Sequence, residues 1–339
     1  MRNIIIVLFL ALGILIPACV KNSSETDPSR RNMEDFEAAW NRINDVYPFF
    51  EFKGIDWEAI RGKYRPRVEG AEDGEFHAIL HDLLAELKDG HVYLRTAKGK
   101  RTRPYDPPRQ VKDQHAVSRA VVKSYFHKPL RATEERSAEY GILPENVGYI
   151  FLADFHEDDL ADEFASIIEF MAPTGGLIVD IRQPRGGTIQ NVEAVVSRFV
   201  TSTFEWPKLY FFGEPYPIDP IQPQKPTYSK EVVVLINGLT ISAGESTSEI
   251  LKQLLNVTVV GDTTAGGGGT ASAHSAETMG NFRLPSGIEI TIPTGCGRRY
   301  DGQHFEWLGV PPDIRVEQTE KDIQEGRDRQ LERAIECLR

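Results

Sequence analysis

From Asn32 onward, apolar residues recur every three or four positions, at Phe36, Trp40, Ile43 and Tyr47, before Pro48 closes the segment. That spacing predicts an amphipathic helix. A stronger stripe follows at Phe76, Ile79, Leu80, Leu83, Leu84 and Leu87, stopped by Asp89-Gly90. Residues 32–95 therefore read as a small helical domain. Between 96 and 145 the periodicity weakens in a basic, proline-bearing stretch (K-G-K-R-T-R-P-Y-D-P-P-R), which reads as a connector with some strand. After Asn146 strands and helices alternate: a strand at 147–155, a helix carrying Leu160, Phe164, Ile167, Ile168 and Met171, the apolar run 177–179, and a helix carrying Val192, Val195, Val196 and Phe199. The strand 231–236, a helix with Ile250, Leu251, Leu254 and Leu255, and the strand 257–260 complete the series. Repeated βα units predict a mainly parallel sheet covered by helices, so 146–318 reads as an α/β core. Residues 319–339 read as a single charged amphipathic helix despite Gly326.

The N-terminus has a different texture. Behind Arg2, residues 4–15 are almost wholly apolar, a run too short to span a bilayer. It closes on Ile16-Pro17-Ala18-Cys19, which resembles the bacterial lipobox; an ordinary cleaved signal peptide is the alternative. The resemblance implies a signal peptide over 1–18, lipidation at Cys19, and a chain tethered in a bacterial cell envelope, facing the periplasm or the outside. Polar residues 19–31 read as a flexible tether.

Composition narrows the function. The 339 residues hold 39 Lys+Arg against 50 Asp+Glu, a net charge of −11 without an offsetting basic block, which argues against a nucleic-acid partner. The cysteines, Cys19, Cys296 and Cys337, lie far apart, so neither a zinc site nor a disulfide framework is indicated.

In such sheets chemistry collects where strands turn into helices, which singles out 180–187 and 237–245. In the second segment Ser242 opens a helix, close to the positive end of its dipole and to free backbone N–H groups. Ser242 and Glu245 equally make an S-x-x-E capping box, a common helix opener without catalytic meaning. In the first, Gly186-Gly187 allows the backbone to approach a ligand, or simply makes a tight turn.

Four motifs decide between these readings: D-I-R-Q-P-R-G-G from Asp180, S-A-G-E from Ser242 after V-V-V-L-I-N, V-V-G-D-T-T-A-G-G from Val259, and F-E-W-L-G-V-P-P-D from Phe305. In this order they resemble the tricorn-type and carboxyl-terminal processing serine peptidase family, over a span from about Phe36 to Val316. The resemblance implies a ClpP/crotonase-like core, a polypeptide substrate and Ser242 as nucleophile, with no cofactor and no metal. One branch pairs its serine with a lysine about two dozen positions downstream, but this chain has no lysine between Leu254 and Glu320, and Lys252 is too near on the same helix to reach back. The tricorn-like branch takes a histidine that follows a helix, as His91 follows Asp89-Gly90, so the resemblance makes His91 the general base and Glu306 the late acidic member that orients it. Gly90 stands where that branch has a serine, leaving the link between Glu306 and His91 to Asp89 or a water. By the same analogy the backbone N–H of Ala243 and one from Gly186 or Gly187 form the oxyanion hole, although Pro184 replaces the family's asparagine in that turn. His304 is a reserve base, and His77, His81, His115, His127, His156 and His274 lack metal-site spacing. The glycine run 266–269 reads as a mobile loop beside the site. The expected function is cleavage of unfolded or extended polypeptides; the alternative on this scaffold is a non-catalytic lipoprotein binding peptides or hydrophobic ligands.

Overall fold

The computed structural model describes residues 28–184, 186–270 and 280–339; the lipobox and Cys19 lie outside them. Its centre is a seven-stranded sheet in the order Ile314–Arg315, Val257–Gly261, Val232–Ile236, Gly176–Asp180, Val147–Leu152, Ala138–Ile142, Arg131–Ala132. The first five run parallel, Ala138–Ile142 runs against them and Arg131–Ala132 pairs antiparallel with it, so the sheet is mixed at one edge. The apolar runs are buried on both faces because alternate side chains point to opposite sides. Ile150, Val179, Val234 and Val259 pack under the helices Asp159–Met171, Ile189–Val196 and Ala243–Lys252. Tyr149, Ile178, Val233 and Val260 face the other way, onto Leu331, Ala334 and Ile335.

The helices Pro28–Val46, Trp57–Val68 and Asp73–Ala85 form the second core, which they share with Leu94 and Ile290 of a four-stranded antiparallel sheet. That sheet joins Tyr93–Arg95 and Arg101–Thr102 to the late hairpin Asn281–Arg283 and Glu289–Thr291, so chain from both ends of the sequence builds the helical half.

Three expectations are corrected. The first helix begins at Pro28, inside the stretch read as tether, where a proline suits a first turn that has no use for its N–H. The connector also contains the helices Pro108–Asp113 and Arg119–Ser124. The C-terminal segment is two helices, Glu320–Gln324 and Arg329–Cys337, because Gly326 at φ +75° breaks the run. Among the described residues, no helix is long and apolar enough to cross a membrane.

Candidate active site

Strand Val232–Ile236 lies third of seven in the sheet and delivers the chain into a tightly held turn. The Asn237 N–H donates to Thr240 Oγ1 (3.1 Å), Thr240 Oγ1 donates to the Ile181 carbonyl (2.7 Å), and the Gly238 N–H donates to Asp113 Oδ2 (2.7 Å). The turn ends on Ser242, at the N-terminus of the helix Ala243–Lys252. The glutamate arm of the capping box is present, with Glu245 Oε2 accepting from the Ser242 N–H at 3.0 Å, while the Glu245 N–H donates to the Ser242 carbonyl at 2.8 Å. The backbone is not that of an ordinary cap, however. Ser242 has φ +58° and ψ −120°, whereas N-cap residues adopt extended dihedrals, and a non-glycine residue in this region carries strain. Such a strained strand-to-helix corner is how hydrolases expose a nucleophilic hydroxyl.

Glu245 does more than cap. Its carboxylate also accepts from Thr264 Oγ1 (2.6 Å) and from the N–H groups of Gly266 (2.9 Å) and Gly267 (3.0 Å), pinning the glycine run to the serine corner. Burial raises its pKa, and these hydrogen bonds oppose the rise. The run at 266–269 is consequently buried and close-packed rather than a mobile loop. A Cβ on Gly268 would fall 2.2 Å from the Glu306 backbone N, and one on Gly267 would fall 2.8 Å from His91 Cε1.

Ser242, His91, Gly186 and Gly187 line one cavity of about 930 Å³, which Ala243 borders through a smaller recess. A Cβ on Gly186 would lie 3.5 Å from Ser242 Cβ and 3.7 Å from its Oγ, so the glycine turn abuts the hydroxyl. The same point is 4.0 Å from His156 Cε1. His156 also lines the cavity, with its Nδ1 3.0 Å from Asp154 Oδ1. Sequence reading set this histidine aside because it looked only for metal spacing; the local signal was the D-x-H pair, which a turn brings together.

His91 projects from the turn after the second apolar stripe, beside Ile241 and Gly267. Its backbone N–H donates to Asp89 Oδ1 (2.8 Å), which fixes the turn rather than the ring, and the ring Nδ1 is buried without a hydrogen-bond partner among the described residues. Burial lowers the His91 pKa; the Asp89 charge opposes this, and Arg103 and Lys53 add to it. A neutral imidazole is the form a general base requires.

Glu306 is expected to orient the base directly or through another group, and no direct hydrogen bond to His91 is made. It does not line the serine cavity. Its Oε1 lies 2.6 Å from Lys53 Nζ and its Oε2 accepts from the Gly268 N–H (2.9 Å), so neither oxygen bonds the His91 ring. Lys53, which sequence reading missed, is fully buried, donates to Tyr47 Oη (2.8 Å) and to the Leu87 carbonyl (2.9 Å), and reaches Asp89 Oδ2 at 3.4 Å. Three rings surround its ammonium, those of Tyr47, Phe49 and Trp307, at 5.2 to 5.5 Å. Burial, reinforced by the Asp89 charge, pushes the Glu306 carboxyl upward against the pull of Lys53. The serine that the tricorn pattern carries beside its histidine would have no space here: a Cβ on Gly90 would meet Pro107 Cγ at 2.8 Å. His304, the reserve base, packs its ring 4.3 Å from that of Phe52, away from the cavity, and burial takes its pKa down to about 4.

Comparison with known proteins agrees with this architecture. Residues 146–316 match the model of peptidase family S41, and residues 28–85 match the tricorn protease C1 domain. The chain belongs to peptidase family S41. It is a tricorn-like member, similar to the putative tricorn protease homolog 2 of Streptomyces coelicolor, at 23% identity over 92% of this chain and 32% of that protein. It is also similar to the carboxy-terminal processing protease CtpB of Bacillus subtilis, at 27% identity over 54% of this chain and 37% of that one. The S41 chain thus spans about a third of the length of these curated relatives. A crystal structure of a putative peptidase from Parabacteroides merdae superposes with a TM-score of 0.77 and 25% identity, covering 92% of this chain and 97% of that one. S41 is a family of serine-type peptidases, which fits a strained serine that shares a cavity with a histidine.

Proposed function

We propose that this S41 chain is a serine endopeptidase that hydrolyses unfolded or extended polypeptides through an acyl-enzyme on Ser242, with His91 as general base. The observation that carries the reading is the strained backbone of Ser242 at the rim of the cavity it shares with His91. An ordinary helix cap gains nothing from such a conformation, whereas a nucleophile gains exposure.

In the proposed reaction Ser242 Oγ attacks the scissile carbonyl while His91 takes the hydroxyl proton. The Ala243 N–H, at the start of the helix, and an N–H from the Gly186-Gly187 turn stabilise the developing oxyanion. His91 then passes its proton to the leaving amine, the C–N bond breaks, and an ester to Ser242 remains. Water, deprotonated by the same histidine, hydrolyses that ester and restores the serine. Glu306 acts as a positioning residue: through Lys53 and Gly268 it holds the Asp89 turn and the glycine run on either side of His91. A recess of about 100 Å³ beside Ser242 and Ala243, walled by Ile189, Val192, Trp206, Leu209 and Phe305, suits an apolar side chain next to the scissile bond. The lipobox-like Ile16-Pro17-Ala18-Cys19 supports export and lipid anchoring at Cys19 in a bacterial envelope.

Digestion of casein by the full chain in detergent tests the reading, with Ser242→Ala, His91→Ala and His156→Ala in parallel. Cleavage that is lost in both Ser242→Ala and His91→Ala supports it. Cleavage that survives in His91→Ala but is lost in His156→Ala would move the base to the Asp154-held histidine.

A further inference from the structure

One wall of the Ser242 cavity is a face of the four-stranded sheet, and the strand register sets a line of charge across it. Arg283 pairs with Glu289, Glu289 with Arg95, and Arg95 with Arg101, so four charged residues stand side by side on four neighbouring strands. All four line the cavity. One step along the strands, Asn281, Thr291 and Tyr93 form a second, neutral row on the same wall. The intervening Ile290 and Leu94 are buried in the helical core, and Phe282 on the outer strand packs against that core while also reaching the cavity, so the two-residue period of the inner strands sets the charged row on the cavity side.

The row is unbalanced. Glu289 is shared between Arg283 at 2.5 Å and Arg95 at 3.6 Å, while the Arg101 guanidinium stacks 3.7 Å above the Tyr93 ring. Arg103, two residues further on, lines the same cavity but is itself paired with Asp106 at 2.6 Å. Like charges directly opposite on adjacent strands are destabilising, and the Arg95–Arg101 pair sits on strands of only three and two residues. A chain with 50 acidic and 39 basic residues had ample means to neutralise this wall. Stacked or part-paired guanidinium groups on a cavity wall are suited to taking carboxylates in two-point hydrogen bonds.

We propose that the Arg283–Arg95–Arg101 row is a binding site for aspartate and glutamate side chains of the polypeptide substrate, making the enzyme selective for acidic segments. The proposal rests on the reading of Ser242 as the nucleophile, because the row and the serine share one cavity.

The test uses three peptides with the same scissile bond, flanked on either side by Glu, Gln or Lys, and the full chain in detergent. At low salt the Glu peptide is expected to exceed the Lys peptide in kcat/KM by about tenfold. In Arg95→Gln/Arg101→Gln the ratio is expected to fall toward one, and about 1 M salt should compress it in the unaltered chain by screening the pairs. Equal rates for the three peptides, or a Glu preference that persists in the double variant, overturns the proposal. If the double variant does not fold, the salt response of the unaltered chain decides. If no peptide is cleaved, the peptidase reading fails separately, and fluorescence anisotropy of the labelled peptides on the chain still decides the row: Glu must bind more tightly than Lys.

Discussion

Lys53 Nζ and Glu306 Oε1 lie 2.6 Å apart with both side chains buried, joining a short early helix to a late loop across 253 residues of chain. Asp89 Oδ2, 3.4 Å from the same ammonium, makes a cluster of two carboxylates and one cation behind His91. Removing the cation leaves two buried carboxyl groups without their shared partner. Lys53→Met is therefore expected to cost about 3 to 5 kcal/mol by denaturant unfolding. A cost under 1 kcal/mol would mean that the cluster does not brace the site.

The strain at Ser242 gives a prediction that separates stability from activity. Ser242→Gly should abolish turnover yet leave the fold about 1 kcal/mol more stable, since glycine accepts a positive φ that costs serine free energy. Ser242→Ala should be equally inactive without that gain. A glycine variant less stable than the alanine one would contradict the strained corner.

The depressed His91 pKa fixes the acid side of the pH profile. The imidazole stays neutral below the usual histidine value of 6.5, so the acid limb of kcat/KM should fall below pH 6.5. The same group contributes to stability with a defined sign: between its folded value and 6.5 the unfolded chain binds the extra proton, so stability is present above 6.5 and declines as pH falls through that window. His91→Gln should remove this contribution, measured as a flatter stability curve between pH 5 and 7 relative to the parent.

Gly90 is a departure from the tricorn pattern that Pro107 enforces. Gly90→Ser should destabilise by about 1 to 3 kcal/mol through overpacking and should not raise activity. Adding Pro107→Ala should recover most of the loss in thermal unfolding, and failure to recover it would place the strain elsewhere.

The sequence made the strand-to-helix corner at Ser242 and the parallel part of the sheet legible because both depend on local order: a buried run, a turn and a helix start within a dozen residues. His91 was legible only through the family pattern, since a histidine after a helix has no signature of its own. Lys53 was not legible at all. In F-E-F-K it looks like a solvated charge, and its burial is created by Trp307 and Glu306, far away in the chain. The glycine run misled for a related reason: glycine signals both flexibility and close approach, and only the packing of Glu306 and His91 against 267–268 reveals the second. The arginine row needed strand register, which brings residues 95, 101, 283 and 289 into one line.

The most direct test of the central claim is covalent labelling of the full chain with a fluorophosphonate, read by peptide mass spectrometry with rates for the parent and His91→Ala. The expected result is a single adduct on Ser242, formed at a rate that collapses in His91→Ala. An unmodified Ser242 in the folded parent, or labelling at undiminished rate without His91, would contradict the assignment of nucleophile and base.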